Sequence, residues 1–268
     1  MALPYQFIIV RHAESEGNVA EAASRNGDHS HYTVEFRNRH NSQYRLTERG
    51  VGQAKAAGEW LRRNNLDQVD QAFVSEYIRA LETAAHLGLC LRWRTNDALH
   101  ERDSGLMALL PQNEREGRFA DHLRHGIVSP YFGRPPEGES LAAVRVRLHA
   151  GFLPVLAEGS AERRVLAVSH GRTIRMLRGI IEHIPFWEFE AMERAHHPED
   201  SITNGHIFHY TRVNPEDASD ISTDFDWVRS ICPWDEARTN STWRRIKRAS
   251  FTGEELLAVV ERFPRHVS

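Results

Sequence analysis

Three short apolar runs, residues 7–10 (FIIV), 72–74 (AFV) and 165–168 (VLAV), constrain this chain more than any other feature. None of them alternates polar with apolar residues, so each needs cover on both faces. Strands of that kind belong at the centre of a parallel sheet. Helical patterns fall between them. Thr47 is placed to cap a helix over "ERGVGQAKAAGEWLRRNN", where Val51, Ala54, Gly58 and Leu61 recur at helical spacing. Ala80, Ala84 and Leu87 mark a second helix that Gly88 can stop. Leu141, Val144, Leu148 and Phe152 mark a third, after the breaker-rich "FGRPPEGES". This alternation predicts an α/β fold, a three-layer α/β/α sandwich with a mostly parallel central sheet and right-handed crossovers.

A chain of 268 residues can bury a full core. Its 34 Lys and Arg nearly balance 37 Asp and Glu, which argues against a broad nucleic-acid or anionic-membrane surface. No apolar stretch approaches the roughly 20 residues that span a bilayer. The first ten residues lack the basic n-region and the length of a secretory signal. Cys90 and Cys232 form no CxxC pair, so a reduced, cytoplasmic setting is expected. Residues 19–45 are polar, rich in His and Arg and weakly periodic, and read as a long excursion. Residues 213–250 read as Asp- and Ser-rich loop carrying Trp227, Trp234 and Trp243, followed by a helix with Thr252 and Glu255 at capping-box spacing and Pro264 after it. The expected organisation is one catalytic domain over 1–212 and an extension over 213–268 that the tryptophans pin to it.

Ligands of open α/β sheets bind beyond the carboxyl ends of the strands. Here each apolar run is followed at once by polar groups: Arg11 and His12, then Ser75 and Glu76 with Arg79 close behind, then Ser169 and His170. Parallel, adjacent strands would gather two histidines and two arginines at one edge, a pocket suited to a phosphoryl group. Arg79 would lie in the first turn of a helix, whose free N–H groups also favour an anion. Phosphoryl transfer needs charge around the equatorial oxygens, an in-line nucleophile and a proton for the leaving group. A neutral imidazole can attack, arginine forks can bind phosphate, and "LHERDSG" offers Glu101 and Asp103 as candidate acids.

Taken in order, "VRHAESEGN", "LTERGVGQA", "SEYIRALETA", "LHERDSG", "PPEGES" and "VLAVSHGRTIRML" resemble the histidine phosphatase superfamily, the phosphoglycerate-mutase-like enzymes, over about residues 5–210. The resemblance implies that His12 is the phosphorylated nucleophile, that Arg11 and Arg79 bind the phosphate, and that His170 completes the pocket. It implies that Glu101 donates the leaving-group proton and that Asn18 approaches the phosphate. Ala13 stands where glycine is more usual after the histidine, a small residue that still allows close packing. Ser104 stands where cofactor-dependent mutases usually carry tyrosine, and no Arg-Arg pair follows in "QNEREGRFAD". "ERDSG" with "GRPPEGES" is more similar to plant and bacterial phosphatase-like members.

The expected activity is therefore hydrolysis of a small phosphorylated metabolite, a phosphomonoester, through a phosphohistidine on His12, with inhibition by phosphate or vanadate. A cofactor-dependent phosphoglycerate mutase and a catalytically weak phosphate-binding or regulatory protein stay open as alternatives. No cofactor and no metal are expected. Neither His29 and His31 nor His196 and His197 show a recognised ligand spacing. Glu139 reads as a helix N-terminal residue, and Thr173 as either a support of the pocket or a first-turn residue. Arg25, Arg37, Arg39, His40 and Arg45 suggest either a basic loop reaching over the pocket or a solvated one. The partners expected are the substrate alone, with no nucleic acid and no membrane, and a homodimer stays open.

Overall fold

In a computed structural model describing residues 2–195 and 202–267, seven strands form one sheet in the order β3-β2-β4-β1-β5-β8-β9. The three apolar runs become β1 (Gln6–Arg11), β2 (Gln71–Val74) and β4 (Arg164–Ser169). They pair in parallel with one another and with β3 (Trp93–Thr95), through β1–β4, β4–β2 and β2–β3. β5 (Ile207–Thr211) runs antiparallel to β1, and β8 (Trp227–Ile231) antiparallel to β5. β8 therefore points the same way as β1. With β9 (Asn240–Arg245) antiparallel again, five of the seven strands share one direction, the mostly parallel sheet of an α/β fold.

The sheet is covered on both faces. One carries Phe7, Ile9, Phe73, Val165 and Ala167 against α7 (Leu141–Gly151) and α9 (Gly171–Ile181). The other carries Ile8, Val10, Val74, Leu166 and Val168 against α3 (Glu48–Arg63) and α4 (Ile78–His86). Burial on both sides is why these strands read as unbroken apolar runs. Thr47 caps α3 as expected, its Oγ1 accepting from Gly50 N at 3.0 Å. Thr252 caps α11 (Gly253–Val260) in a capping box with Glu255.

Two regions differ from their sequence reading. The excursion is not plain loop. Its first part belongs to α1 (Glu16–Arg25), and α2 (Val34–Arg37) follows, with Ala20, Phe36 and Tyr44 closing a small core of their own. These side chains are too widely spaced for a periodic pattern to show. The 213–250 stretch supplies β8 and β9 to the main sheet and a hairpin of β6 (Val213–Asn214) with β7 (Asp217–Ile221). Trp234 ties this part back, its Nε1–H donating to Asn204 O at 2.7 Å, while Trp243 stacks with Arg229.

Candidate active site

The carboxyl ends of β1, β2 and β4 lie side by side, and the polar residues that follow them meet there. His12 is the first residue past β1. Its backbone N–H donates to Ser169 O at 2.8 Å, which locks it to the end of β4. The next amide, Ala13 N–H, donates to Thr83 Oγ1 of α4 at 3.0 Å, and Asn204 Nδ2 donates to His12 O at 3.1 Å. Three separate segments thus hold one peptide.

The imidazole of His12 is 2 % exposed. Its Nδ1 lies 2.7 Å from Ala13 O. A carbonyl can only accept, so Nδ1 carries the proton and Nε2 keeps its lone pair. Arg79 Nε–H points at that lone pair from 3.2 Å. Burial, then the charges of Arg79 and Arg11, hold the His12 pKa well below the usual histidine value, so the ring is neutral near pH 7.

His170, the N-cap residue of α9, faces it with ring centroids 5.0 Å apart. Its Nε2 hydrogen-bonds Ser75 Oγ at 2.7 Å, and its Nδ1 is buried with no protein partner among the described residues. Burial and the neighbouring Arg79 push its pKa far down as well. Arg11 donates through Nη1 to Ile202 O, while its buried Nε has no hydrogen-bond partner among the described residues and lies over Gly171. Burial lowers its pKa to about 10, still cationic at neutral pH. Arg79 gives Nη1–H to Asn41 O at 2.6 Å and lies 4.9 Å above the Tyr77 ring. His12, His170, Arg11 and Arg79 therefore share one buried site.

Glu101 sits at the rim. Its charge acts on both Arg11 and Arg79, and its Oε1 accepts from Arg102 N at 2.8 Å. Asp103, the other candidate acid, likewise accepts a backbone N–H, from Gly105 at 2.8 Å. A cleft of about 620 Å³ lined by Tyr77, His100, Glu101 and Asp103 opens beside them. A larger cavity of about 810 Å³ lies elsewhere, between α9 and the strands β8 and β9.

Asn18 Oδ1 accepts from Ser15 N at 3.1 Å and from Asn204 Nδ2 at 3.0 Å, the same amide that donates to His12 O. Thr173 Oγ1 donates to His100 O, a support of the acid-bearing segment. The basic excursion is neutralised residue by residue: Arg25 by Glu21, Arg37 by Glu114, Arg39 by Glu16 and Arg45 by Glu82. His40 caps a turn by accepting from Ser42 N at 3.3 Å. This segment reaches the site through the Asn41 carbonyl on Arg79 and through the His40 ring, 6.4 Å from that of Tyr77. Among the described residues no group of three or more His, Cys, Asp or Glu is placed to hold a metal, and His196 and His197 lie outside them. No helix among them is long and apolar enough to cross a membrane.

Sequence reasoning missed Thr83, Asn204, Ile202 and Asn41. Thr83 lies within "SEYIRALETA" and could have been found from its place one turn after Arg79. The other three act through backbone atoms or a distant amide, which no local pattern marks.

Such an arrangement can hold a tetrahedral dianion against a neutral imidazole. Comparison with known proteins agrees: residues 7–211 match the family model of the histidine phosphatase superfamily (branch 1), and the chain belongs to that superfamily. A 2,3-bisphosphoglycerate-dependent phosphoglycerate mutase of Methylobacterium radiotolerans is 34% identical over 184 residues, 65% of this chain and 78% of that protein. Among solved structures, a mycobacterial glucosyl-3-phosphoglycerate phosphatase superposes with a TM-score of 0.59 at 21% identity, covering 85% of this chain and 97% of its own. Structures of that phosphatase include complexes with VO3 and with inorganic phosphate. The alpha-ribazole phosphatase of Shigella flexneri gives 0.60 at 19% identity over 82% and 96% of the two chains.

Proposed function

We propose that the protein is a phosphatase that hydrolyses a small phosphomonoester through a phosphohistidine on His12. The observation that carries this is the tautomer of His12: Nδ1–H is spent on Ala13 O, so Nε2 presents a lone pair inside a site walled by Arg11, Arg79 and His170.

The reaction then runs in two balanced steps. The Nε2 lone pair forms a bond to phosphorus as the P–O bond to the leaving group breaks, and the carboxyl proton of Glu101 passes to the departing oxygen. Arg11 and Arg79 meet the charge on the equatorial oxygens, with His170 Nδ1 on the same side. Glu101, now a carboxylate, takes a proton from water as the water oxygen attacks phosphorus. The P–N bond breaks, its electron pair returns to Nε2, and inorganic phosphate leaves. Asn18 supports the site through Asn204, whose Nδ2 bridges Asn18 Oδ1 and His12 O.

The test is direct. Brief incubation with a phosphate-labelled substrate and an acid-free quench should leave label on His12, stable to base and lost in acid. His12→Ala should carry no label and hydrolyse no aryl phosphate, and undiminished turnover by that variant would overturn the reading. A mutase has one observation in its favour, the name of the sequence relative. Against it stands the excursion, whose arginines are each paired with a carboxylate and so poorly placed to bind a second anionic group. Phosphate exchange between positions of a phosphoglycerate, primed by the bisphosphate, would decide for it.

A further inference from the structure

Besides Thr173 Oγ1 on His100 O, the segment that carries Glu101 is held by one guanidinium, which lines the same cleft as the acid. Arg147 of α7 donates through Nη1 to Ala98 O and through Nη2 to His100 O at 2.9 Å and Glu101 O at 3.2 Å. The carbonyls of Ala98, His100 and Glu101 itself converge on one planar cation. Arg147 is held in turn by Glu139, with Nε to Oε1 at 2.9 Å and Nη2 to Oε2 at 3.2 Å. Glu139 closes the ring: its Oε2 accepts from Asp103 N at 3.0 Å and its N–H donates to Asp103 O at 2.9 Å. Gly105 completes the turn at φ +51°, where a Cβ would lie 2.0 Å from Pro136 O. Residues 98–103 are thereby fixed at both ends and in the middle.

None of these contacts reaches the buried imidazoles or the phosphate-facing arginines. They act on the backbone of residues 98–103, which carries Glu101. Within the phosphatase reading above, we propose that Arg147, locked by Glu139, is the positioning residue that aims Glu101 at the departing oxygen. A guanidinium fork suits this task because its donors lie in one plane and its charge is permanent, so three carbonyls can share it. Lysine would keep the charge and lose the fork.

The chemistry supplies a readout that loss of stability alone would not move. Leaving groups differ in how much they need a proton: p-nitrophenolate departs readily, whereas a simple alkoxide departs only when protonated. A general acid contributes about 10²–10⁴ to such a step. Arg147→Lys, Arg147→Met and Glu139→Gln should therefore lose more turnover as the leaving alcohol becomes more basic. We expect the loss on an alkyl phosphate to exceed the loss on p-nitrophenyl phosphate by about tenfold or more, with Glu101→Gln steeper still. Thermal melts of each variant, read beside the rates, keep a partly unfolded preparation from mimicking the effect.

A uniform loss across the series, or none, would overturn the role of Arg147 while leaving the phosphatase intact. Should Glu101→Gln itself show no dependence on the leaving group, the assignment of the acid fails instead. Both outcomes are separable from loss of His12 labelling, which would strike at the reaction as a whole.

Discussion

Arg79 Nε–H donates to His12 Nε2 across 3.2 Å, so the guanidinium and the lone pair proposed to share a phosphoryl group already touch each other. The bond keeps the ring aimed and its lone pair occupied by a donor that an incoming phosphate oxygen can take over. Arg79→Ala should cost about 10²–10³ in kcat on any phosphomonoester and weaken inhibition by vanadate. Arg79→Lys should recover part of the charge effect but not the fork. Steady-state kinetics with inorganic vanadate as competitor would check both, and a change below threefold for the alanine variant would count against the site.

Acid should unfold this protein early. His12, His170, His206 and His209 are held below the ordinary histidine pKa, in each case first by burial, and His206 is lowered to about 3. In the unfolded chain they titrate near 6.5. Below that pH the unfolded state binds more protons than the folded one, so stability falls as pH falls, and it is level above about 7 on their account. Each adds a slope of about 1.4 kcal/mol per pH unit until its folded pKa is reached. Urea melts at pH 7.5, 6 and 5 should show a steady drop in midpoint, reduced when His209 is replaced by a neutral residue of similar size.

Two glycines of α3 offer a matched pair. A Cβ on Gly50 would lie 2.0 Å from Glu14 O, whereas one on Gly52 meets nothing within 4 Å. The N-terminus of α3 is seated on that carbonyl, since Thr47 N–H donates to Glu14 O at 3.0 Å and Glu14 N–H to Gln53 Oε1 at 2.9 Å. Gly50→Ala should destabilise by about 1–3 kcal/mol and displace the peptide two residues after His12, lowering kcat. Gly52→Ala should stabilise by about 0.5–1 kcal/mol at unchanged kcat. Chemical melts and kinetics on the two variants would check the contrast.

The excursion is fastened to the helix that follows Pro111. Arg37 makes a two-pronged pair with Glu114 of α5 (Gln112–Arg118), at 2.8 and 2.9 Å, and Gln112 N–H donates to Ser24 Oγ at 2.7 Å. Both charged groups are about one-third exposed, so solvent screens them. A double-mutant cycle on Arg37→Ala and Glu114→Ala should return a coupling no larger than about 1 kcal/mol. Because Asn41 of the same segment accepts from Arg79 Nη1–H, kcat should fall in either variant, by less than in Arg79→Ala.

What could be read in advance followed from local rules. Strands β1, β2 and β4 are covered on both faces, so their burial is written as unbroken apolar runs. Thr47 and Thr252 announce helices because capping is a contact of three residues' reach. His12, Arg11, Arg79 and His170 were legible because strand ends deliver them to a common edge. β8 and β9 were not, since Trp227 pairs with Arg245 and Val228 with Arg244 at the sheet margin, where β9 is largely exposed and shows no alternation that a single sequence exposes. The partners of Arg37, Arg39 and Arg45 were equally hidden. Whether an arginine faces substrate or a carboxylate is settled by which segments meet, and for Arg37 that partner lies 77 residues away.

The grip on the His12 peptide also bears on how activity is acquired as the chain folds. Its partners are Thr83, bound to Ala13 from 70 residues away, Ser169 at the end of β4, and Asn204, 192 residues away. Contacts that span so much chain form only after the loops between them have closed, and they are slow to gather. The proposed nucleophile should therefore be set in place only once β4 has joined β1 and the turn before β5 has formed. During refolding, recovered turnover should track the slowest structural phase, and a nascent chain should be inert until the turn around residue 204 has been made.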